Sequence, residues 1–216
     1  FAADEGRVEA RFVDGTTVAA VTLDKHVFPG RSWLRGNARL GRLQIRKDLG
    51  DLDGDGDFDR IVSYGGRGFT IWAADGNRVW DSGDLLEQVT ASTYPLYFNA
   101  SHTNNTRDNR SRSKGPEPEG VTVGVVAGHQ FVFGVAERVG GLFAFCVDNP
   151  ASPSFEGYLN SRIFTALPSS GNAGDLGSEG VCFVPAAQSP NGYPLVLVAN
   201  EVSGTLSVFQ VNAICD

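Results

Sequence analysis

Five aspartates alternate along one short stretch: Asp51, Asp53, Asp55, Asp57 and Asp59, in the run DLDGDGDFDR at 51–60. Like charges this close repel one another, and a bound cation is what makes such spacing favourable. Counted from Asp51, carboxylates stand at positions 1, 3, 5 and 9 and glycine at 6, which is a calcium-loop pattern. Alternation lets the side chains converge on one centre. Gly56 permits the sharp turn, and the carbonyl of Asp57 supplies the ligand at position 7. Oxygen donors without His or Cys favour Ca²⁺ over transition metals. Position 12 is Val62 rather than the bidentate Glu of an EF-hand, and a strand pattern follows instead of a helix. The expectation is a calcium loop inside β-structure, with a Kd on the order of the 10⁻⁴–10⁻³ M of extracellular modules.

A second set of carboxylates recurs with the strand pattern. Glu119 and Glu179 open strands after Gly- or Pro-rich turns, Glu137 and Glu201 close the strands that follow, and Glu5 stands in a similar place near the start. In a ring of repeated sheets such residues face one another across the axis and hold a cation or ligand. Alternatively, each accepts hydrogen bonds from a neighbouring turn. If the former, Glu119, Glu179, Glu137 and Glu201 are candidate catalytic residues. Calcium held there would polarise a phosphoryl oxygen and activate water, making the chain a phosphomonoesterase or phosphodiesterase. The sequence has no Ser–His–Asp arrangement and no Lys-bearing phosphate loop. The leading expectation is therefore a non-enzymatic calcium-binding glycoprotein, with the phosphoric ester hydrolase as the alternative.

Other reactive residues are sparse. Cys146, Cys182 and Cys215 are odd in number, so at most one internal disulfide forms, and no CxxC or Cys/His cluster suggests zinc. His26, His102 and His129 are scattered and read as structural or surface residues. The segment NASHTNNTRDNRSRSKGPEP, 99–118, is polar and lacks apolar periodicity. It reads as a long surface loop, with sequons at Asn99, Asn104 and Asn109 for N-glycosylation outside the cell.

The elements that must position these groups are short strands. GFTIWAA, RVWDSG, VTVGVVAG, QFVFGVAE, GLFAFCVD, SFEGYLN, EGVCFVPAA, PLVLVANE and TLSVFQVN all read as strands, as does RIVSYG. Helical periodicity is nearly absent. FVFGVAERVGGLFAF (131–145) resembles LVLVANEVSGTLSVF (195–209), and PEGVTVGVVAG (118–128) resembles SEGVCFVPAAQ (178–188). FAADEG looks like the tail of such a strand. A repeating unit of antiparallel strands predicts an all-β fold, a β-propeller or part of one, with three- to four-stranded blades and long insertions. The expected organisation is a single domain over 1–216: a partial blade and connection at 1–40, a blade with the calcium loop at 41–83, a glycan-bearing loop at 84–118, and blades at 119–165 and 176–214. Three full blades are too few for a ring, so the remainder is expected upstream or in a second polypeptide.

Composition limits the partners. The net charge of −7 disfavours nucleic acid, and no apolar run is long enough to span a membrane. The 27 glycines suit many tight turns. The first residue is Phe1 and the chain holds no Met, so a processed product or part of a longer one is expected.

Several blocks together resemble a family. LGRLQIRKDLGDLDGDGDFDRIVSYGGRGFTIWAADGNRVWDSGD, SKGPEPEGVTVG, AERVGGLFAF and DLGSEGVCFVPAAQSPNGYPLVLVANEVSGTLSVF look like the C-terminal half of the choice-of-anchor I proteins. That family includes mesenchyme-specific cell-surface glycoproteins linked to biomineralisation, and some bacterial members carry alkaline-phosphatase labels. The resemblance covers most of 1–210. It implies a secreted or cell-surface β-propeller with Ca²⁺, engaged with extracellular matrix, mineral or a surface assembly. Asp4-Glu5-Gly6-Arg7 departs from the family's Asn-Glu-Gly-Asp, which weakens any acidic site there. Phe145-Cys146 replaces Tyr-Asp, which suggests Cys146 as a disulfide partner.

Overall fold

The computed structural model describes residues 2–3 and 15–212. Within them the chain is all-β, built from antiparallel sheets of two to four strands. The strands are β1 (Ala2–Ala3), β2 (Gly15–Thr17), β3 (Gln44–Arg46), β4 (Phe69–Trp72), β5 (Arg78–Asp81), β6 (Pro118–Val126), β7 (His129–Ala136), β8 (Leu142–Cys146), β9 (Ser154–Leu159), β10 (Ser178–Val184), β11 (Leu195–Asn200) and β12 (Thr205–Gln210). They form the sheets β1-β4-β5, β2-β3, β6-β7-β8-β9 and β10-β11-β12.

Two differences from the sequence reading have local causes. RIVSYG forms only an isolated bridge from Ser63 to Ile45, because β3 pairs with β2 rather than with β4. LLEQVTAST forms a helix, α2 (Leu85–Thr93), following the one-turn helix α1 (Arg31–Leu34). At nine residues α2 is too short to reveal a period in sequence. Its stability comes from burying Leu86 in the core rather than from propensity.

The four-stranded sheet is covered on both faces. On β7, Val132 and Ala136 face the sheet of β4 and β5, while Phe131, Phe133 and Val135 face β10–β12. On β8, Phe143 and Phe145 turn one way and Leu142 and Cys146 the other. Gly134 leaves room for Phe69, since a Cβ there would come within 2.2 Å of the ring. Phe69 meets Phe143 and Phe145 edge-on at 6.4 and 6.1 Å between centroids. On the opposite face, Phe133 stacks on Phe183 of β10 at 5.9 Å. Each fully buried Phe contributes about 1.5–3 kcal/mol through the hydrophobic effect.

The internal repeat is real at the level of the backbone. Glu137 N–H donates to Glu117 O and Arg138 N–H to Pro116 O, at 2.8 and 3.1 Å. In the second copy Glu201 N–H donates to Gly177 O and Val202 N–H to Leu176 O, again at 2.8 and 3.1 Å. Both first strands, β6 and β10, carry a register irregularity just after their first residue.

Candidate metal centre and the buried glutamates

The aspartate run is a surface loop hung from one buried residue. Phe58 packs with Val18, Leu23 and Ile45. Its N–H donates to Thr22 O at 2.9 Å, and its carbonyl accepts from Asp24 N–H at 3.0 Å. Asp59 N–H returns to Gly50 O at 3.0 Å and closes the loop. Gly54 and Gly56 have φ of 81° and 96°, a region that glycine enters without steric cost.

Loop amides aim the carboxylates inward. Asp51 accepts from Gly54 N–H at 2.7 Å and Gly56 N–H at 3.0 Å, and Asp59 accepts from Leu52 N–H at 2.7 Å. One carboxylate oxygen each from Asp51, Asp53 and Asp59 lies within 4.8 Å of the others. Asp55 is exposed and accepts from Asp57 N–H at 3.0 Å. Asp57 Oδ1 is buried and has no hydrogen-bond partner among the described residues. Loss of solvent around Asp57 raises its pKa, and the charges of Asp55, Asp24, Asp59 and Asp53 raise it further. An unsatisfied buried oxygen beside like charges fits a hard divalent cation, and the donor set is all oxygen.

The strand-end glutamates diverge. Glu137 is buried and its Oε1 is 3.0 Å from His102 Nδ1 and 2.7 Å from Arg138 Nη1. Glu201 and Glu179 are exposed, and Glu119 is half-buried. Among the described residues these glutamates form no group of three carboxylates, and Asp51, Asp53 and Asp59 alone do so. Glu5 lies outside the described residues.

The structure adds Glu117, which strand patterning had not marked. Its carboxylate is fully buried and pairs with Arg110, with Lys114 Nζ at 3.0 Å and with Arg138 Nε at 3.0 Å. Burial pushes its pKa up, but the hydrogen bond and charge of Arg110, the charge of Arg138 and the hydrogen bond from Lys114 outweigh it and leave it lowered. Arg138 thus bridges Glu117 and Glu137. The available sequence signal was the repeat itself, which sets Glu117 against Gly177.

Segment 99–118 is only partly a surface loop. Asn99, Ala100, Ser101 and His102 are buried, as are residues 114–118. The cause is the polar interior they serve. Asn99 Nδ2 donates to Glu87 Oε1 at 2.6 Å and Ser111 Oγ at 2.9 Å, so the nitrogen a glycan needs is engaged and enclosed. Asn104 and Asn109 are partly exposed. Arg162 holds the same segment: Nη2 donates to Ser101 O and Asn105 Oδ1, each at 2.8 Å. Burial pushes the Arg162 pKa down to about 10, still charged at neutral pH. Cys146 is buried in β8 and Cys182 is exposed on β10, while Cys215 lies outside the described residues. His26 is exposed, and His129 Nδ1 lies 2.6 Å from Asp148 Oδ2.

Stacked antiparallel sheets carrying an aspartate loop define an all-β class with a candidate cation site. The choice-of-anchor I domain model matches residues 1–150. Gigasin-3a of Magallana gigas is 34% identical over 193 residues, covering 84% of this chain and 68% of that protein. The mesenchyme-specific cell surface glycoprotein of Strongylocentrotus purpuratus is 32% identical over 104 residues, 42% of this chain and 13% of that protein. The chain belongs to the choice-of-anchor I family. No solved structure matches it. Among the described residues no helix is long and apolar enough to cross a membrane.

Proposed function

We propose that the chain is part of an extracellular or cell-surface glycoprotein in which Ca²⁺ bound by the aspartate loop stiffens a β-propeller that engages matrix, mineral or surface partners. The observation that carries this reading is the convergence of Asp51, Asp53 and Asp59 beside the unsatisfied Asp57 Oδ1. Those residues, with Asp55, would hold the ion, and the ion would supply the positive charge that the loop lacks. A relative named as a cell surface glycoprotein supports the location.

The propeller reading is supported by three sheets stacked face to face, with β6 touching both β1 and β10. The outer face of the last sheet is also apolar. Cys182, Leu197 and Val208 form one cross-strand row, and Leu206 stands beside it, 64% exposed. Such a row calls for a cover, which a further blade from a longer protein or a second polypeptide would provide.

Isothermal titration with CaCl₂ tests the metal. One site at millimolar calcium, lost in Asp53→Asn/Asp59→Asn, is the expected result. No heat up to 10 mM, with the same null by native mass spectrometry, sinks it. The phosphoric ester hydrolase reading relied on the strand-end glutamates; Glu137 is engaged by His102 and Arg138, and Glu201 stands exposed.

A further inference from the structure

Two adjoining grooves, of about 370 and 440 Å³, run between the loop after α1 and the segment 106–112. They share Asn37, Arg42, Asp108 and Arg112, so they form one elongated channel. Five arginines line it, Arg39, Arg42, Arg67, Arg107 and Arg112, against the carboxylates of Glu87 and Asp108. This positive excess lies on a chain whose net charge is −7. Among the described residues the lining cations are all arginine, whose planar fork suits oxyanions better than the ammonium of lysine does.

The channel is built and held. Gln44 N–H donates to Arg112 O at 2.8 Å, and Ser113 Oγ donates to Gln44 Oε1 at 2.8 Å. Arg67 Nη1 meets Glu87 Oε1 at 2.8 Å, and its Nη2 reaches Ser113 O at 3.0 Å. Glu87 neutralises Arg67, and Asp108 pairs with Arg42. None of the other three makes an ion pair among the described residues, although the charge of Arg107 also acts on Asp108. Arg39 lies over the Trp33 ring at 4.6 Å, Arg107 Nε donates to Pro95 O at 3.0 Å, and the exposed Arg112 side chain makes no hydrogen bond or ion pair there.

We infer that this channel binds an acidic polysaccharide, with sulfate or carboxylate groups seated on Arg39, Arg107 and Arg112. Repeating anionic groups match an elongated channel along which cations outnumber carboxylates. Asn37 and Thr106 supply donors and acceptors for sugar hydroxyls. Among the described residues no Phe, Tyr or Trp lines the channel to offer a platform for nucleic-acid bases.

Heparin is the probe, titrated into the chain at low salt in EDTA, so the result is independent of the calcium reading. Binding that weakens with salt is expected, while neutral dextran gives none. Arg107→Ala/Arg112→Ala, both exposed and remote from the core, should weaken heparin at least about tenfold and lower the salt slope by about two. Asp108→Asn should tighten it, because the change frees Arg42. Its φ of 64° is one that asparagine tolerates. Absence of heparin binding, equal binding of dextran or of a single-stranded oligonucleotide, or unchanged affinity in these variants with unaltered melting curves would overturn the proposal.

Discussion

Glu117 and Gly177 occupy the same place in two copies of one structural unit. Both have positive φ, 54° and 73°, and each carbonyl accepts the N–H of the glutamate that closes the following strand. Glycine takes this conformation freely; a residue with a Cβ does so at a cost of about 1–3 kcal/mol. At 117 the side chain offsets that strain through Arg110, Lys114 and Arg138.

Glu117→Gln should therefore destabilise the fold by about 3–5 kcal/mol at neutral pH, the cost of leaving a buried charge cluster one partner short. The lowered pKa of Glu117 means that its stability is complete above the ordinary glutamate range and is lost as pH falls through the depressed value. Chemical denaturation at several pH values should show a shallower acid decline in the variant. Glu117→Gly keeps the backbone and loses the same charge, so it should also be destabilised. If Glu117→Gly is as stable as the natural chain, the ion cluster contributes no more than the backbone strain that glycine relieves, about 1–3 kcal/mol.

Asp57 has the opposite sign. Its raised pKa means that the ion-free fold loses stability as pH rises through the ordinary aspartate range to the raised value. Calcium should remove that penalty at neutral pH. At ten- to hundredfold excess over Kd the ion should add about 1.4–2.7 kcal/mol. Thermal melts with CaCl₂ and with EDTA measure it. Asp57→Asn should raise the melting temperature in EDTA and shrink the calcium increment.

Gly134→Ala tests how the sheets meet. The added methyl falls within 2.2 Å of the Phe69 ring, so Phe69 must leave its place against Phe143 and Phe145. Overpacking of this kind costs about 1–3 kcal/mol. Gly157→Ala, with nothing within 4 Å, is the control and should be near neutral.

Glycan occupancy separates the three sequons. Expression in a glycosylating host followed by glycopeptide mass spectrometry should find sugar on Asn104 or Asn109 and none on Asn99. Sugar on Asn99 in folded protein would contradict its bonds to Glu87 and Ser111.

Nine of the strands were legible because alternation and turn residues bracket them. The tight β6–β7 hairpin is an example, with Ala127 and Gly128 at φ of 53° and 91°. The repeat was legible too, since backbone geometry conserves turn residues. The face each residue takes was not: β7 is apolar on both sides, and no pattern in QFVFGVAE tells Val132 from Phe133. Segment 99–118 misled for the same reason in reverse. Its polar residues satisfy one another inside the fold, and polarity in sequence does not distinguish solvent from a buried partner.

The sequence by itself determined nine of the strands, the repeat and the aspartate spacing, because each depends on neighbours within a few residues along the chain. Tertiary structure alone decided that Glu117 lies in a buried ion cluster, that Glu137 is held by His102 and Arg138, and that five arginines line one channel. Each grouping includes side chains far apart in sequence, Glu117 with Arg138, Glu137 with His102 and Arg39 with Arg112, and only the packing of the sheets and the loops they carry brings their charges within reach of one another.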